Sequence, residues 1–286
     1  MPVPIPTPTS AAGRAGLAAI LNDPAHALLA FDYDGVLATI VEDPRNSPPH
    51  PGAVAALARV AQLVGSVAVI SGRPAQVVLD YGQFTREPGL SELVVFGAYG
   101  RERWDARTGE MVAPAPPSAL DEVRQELPEL LARHGVADAW IEDKRAAVAV
   151  HTRRSADPAG AVAVLTSPIT DFAARHGLHV EPGRFVLEIR PPGVDKGQTL
   201  RSYVAERRAR SVCYTGDDLG DLPAFDAVES MRRNGTAGLT VCSASFEVAE
   251  VAQRADLVLD GPDGVVRFLD ALADALTADT KGGAPC

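Results

Sequence analysis

The sequence predicts an α/β protein: a doubly wound parallel sheet that carries a smaller inserted α+β domain. Three observations lead there. Short β-rich runs alternate with amphipathic stretches along most of the 286 residues. Several runs, "SVAVI" and "LVVFG" among them, are apolar throughout, as strands covered on both faces require. One interval, about residues 108–184, departs from that alternation and reads as a unit of its own.

Taken in order, proline at alternate positions from Pro2 to Pro8 predicts an extended, mobile tail over residues 1–14. The run "HALLAF" predicts the first strand, "GAVAALARVAQLV" a helix by its apolar spacing, and "SVAVI" and "LVVFG" the next two strands. The interval 108–184 opens on the Pro-rich "APAPPS". A helix ("ALDEVRQELPELLARHG"), a strand containing "AVAVHTRR" and a second helix ("PAGAVAVLTSPITDFAARHG") follow. Beyond it come "FVLEI", the helical "GQTLRSYVAERRA", and the strands "SVCYT", "LTVCS" and "ADLVL". The predicted core is therefore 15–107 with 185–276, the insert 108–184, and residues 277–286 a second mobile tail.

Composition narrows the class. Apolar residues make up 46% and charged residues 22%, which is ordinary for a globular chain. A net charge of −10 opposes general nucleic-acid binding. The three cysteines are odd in number and widely spaced, with no C-x-x-C pair, which argues against a disulfide framework and suits a reducing cytoplasm. No run approaches the roughly 20 apolar residues that span a bilayer, and the N-terminus lacks the pattern of a signal peptide. The expectation is a cytoplasmic protein that meets neither nucleic acid nor membrane.

Chemistry gathers where the apolar runs end. In a parallel sheet, ligands bind beyond the carboxyl ends of the strands. Asp32 and Asp34 follow "HALLAF", with Gly35 permitting a tight turn; Ser71 closes "VAVIS"; Asp217, Asp218 and Asp221 follow "SVCYTG"; Lys196 stands at the predicted start of a helix. Carboxylates collected at one sheet edge repel one another unless a cation sits among them, and an all-oxygen ligand set suits Mg²⁺. Taken alone, "DYDG" is equally a turn or a helix cap.

The pieces "FDYDGVL", "VISGR", "DKG" and "TGDDLGD", in that order, resemble the four motifs of the haloacid dehalogenase (HAD) superfamily. The resemblance implies a HAD-like core with Asp32 as nucleophile, Asp34 as general acid and base, and Ser71 and Lys196 on the phosphoryl oxygens. It implies Mg²⁺ on Asp32, the backbone carbonyl of Asp34 and Asp217, with Asp218 and Asp221 supporting Lys196 or metal-bound water. The longer stretches "FDYDGVLATIVEDP", "GAYGRERW", "IEDKRAAVAVHTR", "GRFVLEIRPPGVDKG" and "GDDLGDLPAF" are similar to the trehalose-6-phosphate phosphatases. That likeness implies that the insert is a cap closing over the site. It implies substrate contact for Arg73, Glu142, Lys144, Arg153, Arg184 and Glu188, and trehalose 6-phosphate as the substrate. It further implies a place in trehalose biosynthesis, a functional link to a trehalose-6-phosphate synthase, and a monomer.

The sequence departs from that family pattern in places. Val36 replaces the Thr of "DGT"; Gly220, Leu222 and Pro223 replace Thr and an acid pair; Tyr99-Gly100 stands for "HG". Two other readings stay open at this point: another capped sugar phosphatase, acting on sucrose 6-phosphate or a mannosyl phosphate ester, and a non-catalytic phosphosugar sensor. Cys213, in an apolar run, reads as a core residue. His151 reads as support for the cap strand.

Overall fold

A computed structural model describes residues 4–41, 47–183, 185–244 and 249–282. The chain divides into two compact units, Met1–Val112 with Asp195–Cys286, and Ala113–Val194. The larger unit opens with strands β1 (Ala27–Phe31), β2 (Ser66–Ile70), β3 (Val94–Gly97), β4 (Glu102–Asp105) and β5 (Met111–Val112). The smaller unit holds β6 (Trp140–Asp143), β7 (Val148–His151), β8 (His179–Gly183) and β9 (Val186–Arg190), and the larger resumes with β10 (Ser211–Gly216), β11 (Ala237–Ser243) and β12 (Leu257–Leu259). The helices are α1 (Ala11–Asn22), α2 (Ala53–Ala61), α3 (Ala75–Gly82), α4 (Ala119–Arg133), α5 (Pro158–Arg175), α6 (Lys196–Arg207), α7 (Leu222–Arg233), α8 (Ala249–Arg254) and α9 (Gly261–Gly282).

The sheet of the larger unit runs β12-β11-β10-β1-β2-β3-β4-β5. It is parallel from β12 to β3, and β4 and β5 pair antiparallel. Every residue of β1, β2 and β10 is buried, because alternate side chains enter two different cores. Leu29, Phe31, Val67 and Val69 pack with Leu57 of α2, Val78 of α3 and Phe268 of α9. Leu28, Ala30, Ala68 and Ile70 pack with Leu200 of α6 and Phe225 of α7. Helices on both faces make the sheet doubly wound, as the continuous apolar runs predict. From β1 the chain builds outward through β2 and β3, and from β10 outward through β11 and β12, so the winding reverses between β1 and β10. A crevice at the carboxyl ends of those two strands is the expected ligand site.

In the smaller unit the sheet β6-β7-β9-β8 is antiparallel throughout. One face, with Val148, Val150, Leu187 and Ile189, packs on Leu127 of α4 and on Leu165 and Phe172 of α5. The other face carries Trp140, Glu142, His151 and Glu188, which alternate with those core residues.

Three sequence expectations are corrected here. The sequence places "FVLEI" in the main domain, whereas β9 lies between β7 and β8 with Ala149 opposite Glu188 and Val180 opposite Ile189. The compact smaller unit therefore runs over Ala113–Val194 instead of 108–184. The segment expected as a mobile tail to residue 14 contains the start of α1: Ser10 caps the helix by accepting from Gly13 N at 2.8 Å, and Thr9 N donates to the Asp256 carbonyl at 2.7 Å. At the other end α9 continues through Gly282, past the predicted boundary at 277.

Asp256 is the far anchor of that N-terminal segment. Its buried carboxylate accepts from the Ser10 hydroxyl, from Arg232, and from the amide and hydroxyl of Thr240 at 2.8 and 2.9 Å. Burial pushes its carboxyl up, but the hydrogen bonds from Ser10, Arg232 and Thr240 outweigh it and hold the group below the usual carboxylate range. A depressed carboxyl contributes stability above its unfolded pKa and loses it as pH falls through the folded value. Asp256→Asn should therefore cost about 2 kcal/mol at neutral pH. In thermal melts the gap to wild type should close below about pH 4, and a gap independent of pH would refute the charge-based account.

Candidate active site

Backbone geometry brings the acids together first. Asp32 extends β1, its amide donating to Thr215 O at 2.9 Å, so its side chain emerges at the carboxyl end of the two central strands. Gly35 then turns the chain with φ 69 and faces the Asp217 side chain so closely that an added Cβ would lie 2.1 Å from Asp217 Oδ2. Only glycine meets both demands. The Ser243 hydroxyl at the end of β11 donates to Gly35 O at 2.6 Å and fixes the turn.

Lys196, the first residue of α6, is 3% exposed, and its Nζ lies 2.7 Å from Asp32 Oδ2 and 2.7 Å from Asp221 Oδ1. Asp221 is fully buried and accepts from three further donors: Tyr214 OH at 2.6 Å, Asp217 N at 2.9 Å and Asp218 N at 3.2 Å. Asp32 also accepts from Tyr33 N at 2.7 Å. Asp34 is gripped by Arg73 through two bonds, Nε to Oδ2 at 2.6 Å and Nη2 to Oδ1 at 2.7 Å, and accepts from Ser47 Oγ at 3.2 Å. Arg73 N in turn donates to Ser71 Oγ at 3.2 Å, with Ser71 buried at the end of β2.

The site is short of positive charge. Burial first, then repulsion from Asp221, Asp218 and Asp34, raises the Asp32 carboxyl well above its ordinary value despite Lys196. Asp217 is raised for the same reason, by burial and then by Asp218, Asp221 and Asp32; Asp218 keeps an exposed side chain, yet desolvation by the surrounding loop together with Asp221 pushes it up to about 6. Burial lowers the Lys196 ammonium, but Asp221 and Asp32 more than reverse it, so the lysine stays charged.

This donor set fits a hard divalent cation, since crowded carboxylate oxygens with one ammonium among them are what such an ion neutralises. Asp32, Asp218 and Asp221 each present an oxygen within 4.8 Å of the others. Of these, Asp221 already receives four donors, which leaves Asp32 and Asp218 as the better candidates, and Asp217, expected as a ligand from the sequence, lies outside this group.

Eight of the sequence-selected residues, Asp32, Asp34, Ser71, Arg73, Lys196, Asp217, Asp218 and Asp221, thus occupy the larger unit's sheet end. In the smaller unit Lys144 Nζ lies 2.5 Å from Glu188 Oε2 and 4.0 Å from Glu142 Oε2. Glu188 is buried, and its Oε1 has no hydrogen-bond partner among the described residues. Arg153 lies beyond the end of β7 and is exposed; Arg184 falls outside the described residues. Sequence reasoning missed Tyr214, although a tyrosine in an apolar strand requires a partner for its hydroxyl. It gave His151 only a supporting role; His151 Nε2 sits 2.9 Å from Glu142 Oε2 and its ring stacks on Trp140. Cys213 is buried in β10, where burial pushes its thiol up to about 12, and is a packing residue as expected.

A family model described as trehalose-phosphatase matches residues 30–263. The chain is similar to the trehalose-phosphate phosphatase of Mycobacterium marinum, 33% identical over 255 residues that cover 86% of this chain and 61% of that protein. It is similar also to that of Mycolicibacterium paratuberculosis, 35% identical over 263 residues, 88% of this chain and 63% of that protein. The chain thus spans under two thirds of the length of these curated relatives. Among solved structures, the C-terminal domain of the Candida albicans trehalose-6-phosphate phosphatase superposes with a TM-score of 0.74 at 20% identity, covering 94% of this chain and 99% of that one. A haloacid dehalogenase-like hydrolase from Bacteroides thetaiotaomicron does so with a TM-score of 0.58 at 16% identity, covering 85% and 98%. These likenesses show the HAD-like fold.

Proposed function

The chain belongs to the trehalose-phosphatase family, and we propose that it hydrolyses trehalose 6-phosphate to trehalose and phosphate through an aspartyl-phosphate on Asp32. One observation carries the reading: a carboxylate at the end of the central strand is held by a buried lysine, with a second carboxylate two residues on, forked by an arginine. Simple binding of a sugar phosphate needs no such pair.

In this reading Asp32 Oδ attacks phosphorus and the bond from phosphorus to the ester oxygen breaks, while Asp34, which must leave the Arg73 fork and enter the step protonated, passes that proton to the departing sugar oxygen. Asp34, now a base, takes a proton from water. That water attacks phosphorus, releases phosphate and restores Asp32. Lys196 and the Ser71 hydroxyl hold the phosphoryl oxygens, and Arg73 orients Asp34. Asp32, the Asp34 carbonyl and Asp217 would hold Mg²⁺, which would supply positive charge to the phosphoryl oxygens. In the smaller unit Glu142, Lys144, Arg153 and Glu188 supply sugar contacts; the Glu188 Oε1 that lacks a donor is suited to a sugar hydroxyl. Arg184 is assigned with them from the sequence. The reading places the step in trehalose biosynthesis, carried out by a monomer in the cytoplasm on an ester made by a trehalose-6-phosphate synthase. Among the described residues no helix is long and apolar enough to cross a membrane.

Phosphate release from trehalose 6-phosphate, sucrose 6-phosphate and glucose 6-phosphate, with Mg²⁺ and with chelator, tests this directly. The expected result is a preference for the first ester that chelation abolishes. Equal activity on all three would discard the sugar assignment, and full activity in chelator would discard the metal.

A further inference from the structure

A short turn after β3 is built at unusual conformational cost. Ala98 and Tyr99 both lie in the left-handed region, with φ 47 and 62, and Gly100 follows at φ 113. Two consecutive non-glycine residues in that region are costly and persist only where the surroundings hold them. Here the surroundings are two motifs of the site. Ala98 N donates to Arg73 O at 2.8 Å and Tyr99 N to Ser71 O at 2.9 Å. On the other side Thr199 Oγ1, one turn along α6 from Lys196, donates to Tyr99 O at 2.7 Å. Gly100 packs so tightly there that a Cβ would lie 1.9 Å from that hydroxyl.

The turn is thus wedged between the loop that carries Ser71 and Arg73 and the helix that begins at Lys196. Its effect is to lay the Tyr99 ring across Gly72, whose hypothetical Cβ would lie 3.0 Å from both Cζ and Oη of the phenol. A Cβ at position 72 would push the ring aside by a few tenths of an ångström. Tyr99 itself stays partly exposed, so core packing alone does not account for a conformation this costly.

Depth within the site indicates what the phenol meets. Ser71 and Lys196, proposed for the phosphoryl oxygens, are 1% and 3% exposed, whereas Asp34, proposed for the ester oxygen, and Arg73, which orients it, lie nearer the surface. Tyr99 belongs to this outer group. A phenol hydroxyl both donates and accepts, as a partner of a sugar hydroxyl should, and at this outer depth it faces the sugar side rather than the buried phosphoryl pocket of Ser71 and Lys196. We propose that Tyr99 is a specificity-determining residue whose hydroxyl bonds a hydroxyl of the leaving sugar beside the ester oxygen. The inference rests on the phosphatase reading above and extends it to a residue that the reading leaves without a role.

The test compares kcat/KM for trehalose 6-phosphate with that for p-nitrophenyl phosphate, whose leaving group carries no sugar hydroxyl. In Tyr99→Phe, which keeps the ring and the turn, the ratio should fall about five- to tenfold, the worth of one neutral hydrogen bond. Tyr99→Asn, whose side chain tolerates the left-handed backbone, should lower the ratio at least as far without lowering the melting temperature. A Tyr99→Phe ratio equal to wild type overturns the inference. So does a Tyr99→Asn protein that melts lower with its ratio intact, since that marks a purely structural ring. If the wild type is silent on trehalose 6-phosphate, the substrate assignment falls, and Tyr99 is judged by the same ratio on sucrose 6-phosphate or glucose 6-phosphate. Silence on every sugar ester overturns both.

Discussion

Asp32→Asn should abolish turnover of trehalose 6-phosphate, by at least about 10⁴-fold, without lowering the melting temperature of the protein. The amide matches the carboxylate in shape but cannot serve as the nucleophile, so no aspartyl-phosphate forms. The fold should tolerate the change because Lys196 keeps its second partner, Asp221, at 2.7 Å. Asp32 is itself a burden when ionised: burial and the neighbouring Asp221, Asp218 and Asp34 raise its carboxyl well above the ordinary value. A carboxyl raised in the folded state weighs against folding as pH climbs from its unfolded pKa toward its folded one. In metal-free buffer the variant should therefore melt at or above wild type near neutral pH, and the difference should vanish on acidification. Phosphate-release kinetics and paired melts check both halves. Retained turnover would end the covalent mechanism, and a markedly lower melting temperature would show that Asp32 is needed to hold Lys196.

Asp221→Ala should be the most destabilising single change in the site, by about 3–5 kcal/mol. Asp221 is 0% exposed and takes hydrogen bonds from Lys196, Tyr214 and the amides of Asp217 and Asp218. Truncation leaves a buried hydroxyl and two amides without an acceptor and one of two counter-charges missing from a buried ammonium. The loop that presents Asp217 loses its anchor at the same time, because both amide bonds come from that loop. Activity should fall with stability, and if Asp221 serves the lysine and the loop, raising Mg²⁺ should not restore the lost stability. Urea unfolding of the variant measures the cost. A loss under about 1 kcal/mol would mean that water enters and replaces the carboxylate.

Much of the fold was legible because its signals are local. Continuous apolar runs announce strands buried on both faces, and "HALLAF", "SVAVI" and "SVCYT" became the fully buried β1, β2 and β10. Their placement was less legible. "FVLEI" has the same apolar character as the core strands, yet pairs antiparallel in the smaller unit, since a single strand does not declare its neighbours. The first residues looked like a tail because proline and small residues dominate them. What orders Thr9 and Ser10 is Asp256, almost 250 residues away.

The site divides along the same line. Local order along the chain already puts Asp32 and Asp34 at the end of β1, Ser71 at β2, and Asp217, Asp218 and Asp221 after β10. Spacing within a few residues controls those positions. Tertiary structure set the pairings: Arg73 with Asp34, Lys196 shared between Asp32 and Asp221, and Tyr99 laid across Gly72. Each of these joins groups brought together by strand order and helix packing across the sheet. The free energy of such a contact comes from burial and long-range geometry, which no short stretch of chain encodes.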